Sequence, residues 1–233
     1  AKSAQSSFDN AIEKATNAIQ QHSMEIDGDE KNKLIDHNYI IIGQAQFYKQ
    51  DYVAALNTFN YVTRKSKREE NKSWALIWST RCHQALGNHE SLKNNLLVLE
   101  EDYYLNKKQD AILNEIQAEQ AINEGYYLES KQHLLKAISK SKEKPKITRM
   151  YFILGQLDNL LNNPQESQEH FNEVIKRNPD YEFVFNAKLN RAKAHVPGKT
   201  NYDELSTSLQ KMLKDVKNKE YQDQIYFTLA SLQ

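Results

Sequence analysis

The narrowest limit on what this chain can fold into is a short stripe of small or apolar residues that recurs six times. The copies are Ala11/Ala15/Ala18, Ala55/Phe59/Val62, Leu92/Leu96/Leu99, Ser130/Leu134/Ala137, Ser167/Phe171/Val174 and Leu205/Leu209/Met212. Their first members lie 44, 37, 38, 37 and 38 residues apart. Within each copy the gaps are four and then three, which puts all three side chains on one face of a 3.6-residue helix. A helix of this length cannot hide such a face alone. A repeated unit of this size therefore implies helical pairs that bury their stripes against one another and against the next pair in line.

The punctuation agrees. Three residues before the stripes stand Phe8, Tyr52, His89, Tyr127, Pro164 and Tyr202, each expected to close a turn. The turns themselves are marked by Gln50-Asp51, Gly87-Asn88, Gly125, Asn162-Asn163 and Pro197-Gly198. Gly and Asn leave a helix most easily through the left-handed conformation, and Pro164 suits a first helical turn, where no backbone donor is lost. The partner helices are also legible. Tyr39-Ile-Ile-Ile-Gly43 and Tyr151-Phe-Ile-Leu-Gly155 are near-copies, and Thr80, Ala118 and Ala230 fall in the glycine slot. Glycine inside a helix costs about 1 kcal/mol against alanine, so its repetition predicts a close approach of the two helices. With Gly (6) and Pro (4) scarce and helix formers abundant, β-sandwiches and barrels are unpromising. The expected helices are 6–22, 31–49, 51–65, 70–86, 89–102, 108–124, 127–142, 145–161, 164–177, 180–195, 201–216 and 219–231. Asn178-Pro179 ends one pair, and the Asn190–Tyr202 connection is longer than its counterparts.

These residues resemble the tetratricopeptide repeat, in which Trp or Tyr, Leu, Gly, Tyr, Ala, Phe, Ala and Pro recur at fixed offsets over about 34 residues. Residues 39–62 and 151–179 match it best, with Tyr151, Leu154, Gly155, Ser167, Phe171, Val174 and Pro179 in register. The other copies depart from it, with Leu92 and Leu205 where Ala is usual. The fold expected is all-α: residues 1–233 as a single α-solenoid of about twelve helices, with repeats cut at both ends so that the first and last helices lack their partners.

In such a stack the first helices line a hollow. By register, the inward positions include His37, Ile40, Gln44, Phe47, Tyr48, Trp74, Ile77, Trp78 and Arg81, followed by Glu115, Glu119, Ile122, Arg149, Phe152, Gln156, Asn159 and Asn186. They form either a groove for a peptide or partner helix, with aromatic and Arg anchors, or, for Phe47, Trp74 and Trp78 above all, packing between neighbouring pairs. The Lys/Asn clamp with which some proteins of this fold hold carboxylate tails is absent, since its first-prong positions carry Ile40, Ile77, Glu115, Phe152 and Asn186.

Other chemistry finds little support. Thirty-one basic and 31 acidic side chains cancel, which argues against nucleic acid as a partner or a basic face on anionic lipid. No apolar run approaches the ~18 residues that span a bilayer. Seven scattered His residues lack metal-site spacing, and the single Cys82 permits neither an intrachain disulfide nor a cysteine zinc site. Cys82 is expected to be an inert packing residue. Glu115 and Glu119 share a helix face but read as solvated rather than catalytic, and 196–200 lacks the spacing of a phosphate loop. No cofactor is expected.

Four stretches carry a narrower resemblance: Ala11–Met24, Ile42–Tyr52, Asn178–Ala187 and Lys211–Phe227. Together they are similar to the SprE/PorW tetratricopeptide lipoproteins of gliding Gram-negative bacteria, part of the type IX secretion and gliding-motility machinery. The last stretch is the most specific, because the repeat does not dictate it. The resemblance implies a non-catalytic scaffold in the periplasm, held at the outer membrane by a lipid attached upstream of Ala1, linking translocon and motor ring through protein partners. It also points to Lys217, Lys219 and Asp223 as a docking surface. A general adaptor that binds peptides in its groove is the alternative.

Overall fold

Twelve α-helices carry the described chain, ten of them in five consecutive pairs. The structure, a computed structural model, describes residues 2–27 and 29–232. The helices are α1 (Lys2–His22), α2 (Ile35–Tyr48), α3 (Tyr52–Lys65), α4 (Glu69–Ala85), α5 (His89–Glu101), α6 (Lys107–Asn123), α7 (Tyr127–Lys140), α8 (Lys144–Leu160), α9 (Pro164–Arg177), α10 (Tyr181–Lys193), α11 (Tyr202–Lys214) and α12 (Gln222–Ser231). The backbone divides within α6 into two units, Ala1–Ile116 and Gln117–Gln233.

Every expected helix is present, and the second helix of five pairs begins at the predicted turn-closing residue: Tyr52, His89, Tyr127, Pro164 and Tyr202. Phe8 is the exception. It lies inside α1, where its ring stacks on Tyr48 at 5.6 Å. The turns share one hydrogen-bond pattern in which a backbone N–H reaches back five residues: Asp51 to Gln46 (3.0 Å), Asn88 to His83 (2.9 Å), Tyr126 to Ala121 (2.8 Å) and Asn163 to Asp158 (2.8 Å). That pattern needs one left-handed residue just past the helix. Gly87 and Gly125 supply it at φ +69° and +82° without steric cost, whereas Gln50 and Asn162 adopt φ 65° and 59° with a Cβ in place. The long 194–201 connection is pinned by Thr200, whose hydroxyl meets His195 Nδ1 at 2.6 Å and accepts from Val196 N–H at 3.1 Å.

Two segments depart from expectation. Before α2, Glu25–Ile26 and Asp29–Glu30 pair as antiparallel strands β1 and β2. The Glu30 carboxylate there accepts the backbone N–H of Met24 (3.0 Å) and of Asn32 (2.7 Å), and Asn32 accepts that of Leu34 (3.0 Å). These local bonds hold the backbone out of the helix until Ile35, four residues later than the pattern predicts. After α11, Asp215 accepts the Lys217 N–H (3.0 Å) and opens a 3₁₀ turn, Val216–Tyr221, so α12 starts late.

The stripes are buried as expected. In the first unit Ala55, Phe59 and Val62 pack with Ile40, Ala75, Trp78 and Cys82, while Leu92 and Leu99 join Ile77, Ile112, Leu113 and Ile116. In the second, Leu134 and Ala137 pack with Ala118, Met150, Leu154 and Leu157, and further on Phe185, Leu189, Leu205, Leu209, Met212 and Ile225 gather. The glycine slot explains itself. A Cβ on Gly43 would fall 2.5 Å from the Phe59 ring, and one on Gly155 2.8 Å from that of Phe171. Burying a Phe side chain contributes about 1.5–3 kcal/mol, which outweighs the ~1 kcal/mol that the glycine costs. Thr80 and Ala118 are buried in the same slot, but Ala230 is exposed. No second helix covers that face of α12 among the described residues.

Candidate partner-binding surface

The first helix of each pair is covered on more than one side. In the first unit α4 packs on both α3 and α2, and this decides which of its side chains reach solvent. Ile40, Ile77 and Trp78, expected at the surface, are core residues at 3%, 0% and 6% exposure. The strip that stays open is narrower than helical register alone suggests, because the aromatic side chains of one pair reach over the next. Phe47 is half-buried, with ring centroids 5.3–5.6 Å from Tyr48, Tyr52 and Trp78. Trp74 is half-buried beneath the Lys108 ammonium, 5.5 Å from its ring centre. For Phe47 and Trp78 packing is the role the structure assigns.

Arg81 is not a free cation. Its guanidinium meets Glu115 of α6 at 2.8 Å and lies 5.7 Å over the Trp78 ring. Glu115 is thereby half-buried and paired rather than solvated, while Glu119 is exposed. What remains open in this unit is His37, Tyr48 and part of Gln44.

The second unit keeps more of the predicted surface. Arg149, Gln156 and Asn159 are exposed, and with Phe152 they fall at i, i+3, i+7 and i+10 along a single face of α8. Phe152 anchors the stripe, half-buried between Phe171 (5.4 Å) and Phe183 (4.9 Å). Arg149 has no ion-pair partner among the described residues. Ile122 is half-buried against the α6–α8 cluster. Asn186 folds back on its own helix, donating to the Glu182 carbonyl at 3.0 Å. Lys219 and Asp223 are exposed, and the Lys217 ammonium sits 5.3 Å over the Tyr181 ring.

Sequence reasoning missed the strongest electrostatic feature. Asp158 of α8 has a fully buried side chain that accepts from Lys131 of α7 and lies 2.6 Å from His170 Nδ1 of α9. Burial pushes the Asp158 carboxyl upward, but the His170 and Lys131 contacts outweigh it and hold the group below the usual carboxylate range. Because an ionised carboxylate only accepts, Nδ1 of His170 is the protonated nitrogen. A signal was available: Asp158 follows Tyr151, Leu154 and Gly155 on one apolar stripe, where a charge must find a partner. Gln109 was missed in the same way. It is 1% exposed and donates to the Ser73 hydroxyl (2.8 Å) and the Glu70 carbonyl (3.2 Å), tying α6 to α4.

Cys82 is fully buried, and burial pushes its thiol up to about 12, far from a reactive thiolate. Among the described residues no group of three or more His, Cys, Asp or Glu side chains could hold a metal ion. No helix among them is long and apolar enough to cross a membrane.

No family model matches the chain, and no curated protein is significantly similar to it in sequence. Solved structures resemble it in fold. A chain in the crystal structure of the APC/C hetero-tetramer Cut9–Hcn1 aligns with a TM-score of 0.62 at 14% identity, covering 97% of this chain. A tetratricopeptide repeat protein from Parabacteroides merdae ATCC 43184 aligns with a TM-score of 0.50 at 15% identity, again over 97% of this chain. The chain spans 40% of the length of the first and 85% of the second. At these identities the likeness is one of fold, and the fold is the all-α stack of helical pairs that the sequence predicts.

Proposed function

We propose that the chain is a non-catalytic scaffold that binds a protein partner along its first-helix faces, with α8 as the main contact. The observation that carries this reading is the stripe Arg149, Phe152, Gln156 and Asn159: an unpaired cation and two free amides on either side of a fixed aromatic, held on a rigid helix. Arg and aromatic anchors of this kind dominate measured interface energies. Fold alone does not assign a function, so the reading rests on the site.

The test is photo-cross-linking in cells from positions 149, 156 and 159, with position 169 on the exposed side of α9 as control. A discrete partner captured from α8 and not from position 169 supports the proposal. Equal capture from all four positions overturns it.

The finer reading, a periplasmic, outer-membrane-anchored component of the type IX secretion and gliding machinery, rests on the sequence resemblance, above all on Lys211–Phe227. Lys219 and Asp223 are exposed within that stretch, as docking there requires. Replacing Lys217, Lys219 and Asp223 together by Ala should abolish secretion through that machinery while leaving helicity intact. Wild-type secretion would remove this part of the proposal without touching the α8 surface.

A further inference from the structure

At the base of the α10/α11 pair, away from the 194–201 connection, the structure holds a cleft of about 250 Å³. Its apolar wall comes from Val184 and Phe185 of α10 and Met212 of α11. Its floor is Asn218, 2% exposed and fixed by donating to the Met212 carbonyl at 2.8 Å and accepting from the Tyr181 hydroxyl. Two lysines overlook it, Lys188 from α10 and Lys211 from α11. Neither ammonium lies within 4.0 Å of a carboxylate among the described residues. The Ser208 hydroxyl beside them has no hydrogen bond there either. The one carboxylate on the rim, Asp215, is engaged in capping the 3₁₀ turn through the Lys217 N–H.

Several cations of this unit face a carboxylate: Lys131 has Asp158, Arg191 has Glu204 and Lys176 has Glu173. Two lysines and a free hydroxyl converging from different helices over one apolar recess are a different arrangement. Against the single, engaged carboxylate they leave the cleft with a surplus of positive charge and an unfilled hydrogen-bond donor. A cavity of ~150 Å³ already holds a benzene ring, so the recess has room for one ring or branched side chain with a charged group at its mouth. The cleft shares no lining residue with the α8 stripe, and Lys188 stands about 200° around α10 from the inward position Asn186.

We propose that this cleft binds a carboxylate carried on a short apolar body. Lys188 and Lys211 take the charge, Ser208 donates to it, and Val184, Phe185 and Met212 enclose the body. The lysines act as point charges with three rotatable donors each, which suits a carboxylate entering from solvent. The carboxylate can belong to a free small acid or to an acidic residue beside an apolar one in a partner peptide.

The experiment is a heteronuclear NMR titration of the whole chain, read at the backbone amides of Ser208, Lys211 and Asn218. The probes are phenylacetate, its uncharged analogue phenylacetamide, inorganic phosphate, and a peptide blocked at both ends with Phe-Glu at its centre. Saturable shifts confined to this cleft are expected with phenylacetate or the peptide, and the amide should bind at least tenfold more weakly. Binding by the peptide alone assigns the site to a protein partner; binding by phenylacetate assigns it to a free acid. The double variant Lys188→Met/Lys211→Met should lose binding at least tenfold, and Ser208→Ala about threefold, each with unchanged circular dichroism. The proposal is overturned if neither charged probe saturates at millimolar concentration. It is overturned equally if the amide or phosphate binds as well as the acid, or if the double variant binds like the parent.

Discussion

The α2/α3 and α8/α9 pairs carry the same sequence signature and close in different ways. Each sets a glycine under an aromatic ring, Gly43 under Phe59 and Gly155 under Phe171. Three residues beyond each glycine, and three beyond the small residue that opens each stripe, the two helices exchange a second contact. In α2/α3 it is neutral and half-buried: the Thr58 hydroxyl donates to Gln46 Oε1 at 2.7 Å. In α8/α9 the equivalent positions are Asp158 and His170, 2.6 Å apart, and Lys131 joins them from α7. Ser167 adds a buried bond to the Gly155 carbonyl at 2.8 Å, where the other pair has Ala55 and no such bond to make. The difference teaches that the repeat specifies where two helices meet, while the residues one turn further on decide whether a third helix is bound into the same contact.

The sharpest way to break this comparison is to remove each second contact. Asp158→Ala leaves Lys131 and His170 without their acceptor at a buried site, and losing one partner of such a group costs roughly 3 kcal/mol or more. Gln46→Ala removes one neutral, half-buried bond and leaves the Thr58 hydroxyl the Ala54 carbonyl at 3.0 Å, so about 0.5–1 kcal/mol is expected. Urea unfolding of the two variants measures the gap, and equal losses would mean that the buried charge is no stronger a fastening than the amide.

The shared feature should behave alike in both pairs. Gly43→Ala and Gly155→Ala each force a methyl group into an aromatic ring. Overpacking costs about 1–3 kcal/mol, of which the better helix propensity of Ala returns up to ~1. A net loss of about 1–2 kcal/mol is expected at each site. Phe59→Leu and Phe171→Leu should each absorb part of their neighbour's loss in a double-mutant cycle, and purely additive losses would show that the ring contact does not set the helix spacing.

The charged closure also has a pH signature. The folded Asp158 carboxyl titrates below its unfolded value of ~3.9, so its stabilisation is complete above that pH and is lost as pH falls through the folded value. The stability difference between the parent and Asp158→Asn should therefore hold steady down to about pH 4 and narrow below it. Gln46→Ala should differ from the parent by the same amount throughout. A difference for Asp158→Asn that does not change between pH 7 and pH 2.5 would rule out an ionised carboxylate at that site.

The smallest effect concerns the turns. Gln50 holds the left-handed position that Gly87 and Gly125 fill elsewhere, and a Cβ there costs about 1–2 kcal/mol of local strain. Part of that is offset by the freedom a glycine gains in the unfolded chain. Gln50→Gly should raise stability by about 0.5 kcal/mol, visible as a small rise in Tm, whereas Asn162→Gly should change it less, because Asn tolerates this conformation.

Local signals explain why the helices were so readable. Each turn is a self-contained hydrogen-bond pattern built from residues within one pair, and each stripe buries against the helix immediately before it, so both leave their mark within about forty residues. The surface was less legible because exposure depends on side chains from neighbouring pairs. Trp78 sits on an inward-facing register and is still covered, because Phe47 and Phe59 reach it from two other helices. Arg81 looked free because its partner, Glu115, lies 34 residues away. The β1/β2 pairing escaped notice because Glu30 gathers backbone donors in a way that hydrophobic period does not register.

Trp74 and Trp78 are the chain's only tryptophans, and both belong to α4 in the first unit. Intrinsic emission excited at the red edge therefore reports on residues 1–116 alone, with Trp78 in an apolar setting whose loss would shift its spectrum to longer wavelength. Circular dichroism averages over every helix. Recording both along one denaturation curve, with no label attached, tells whether the two halves melt as one body or in sequence.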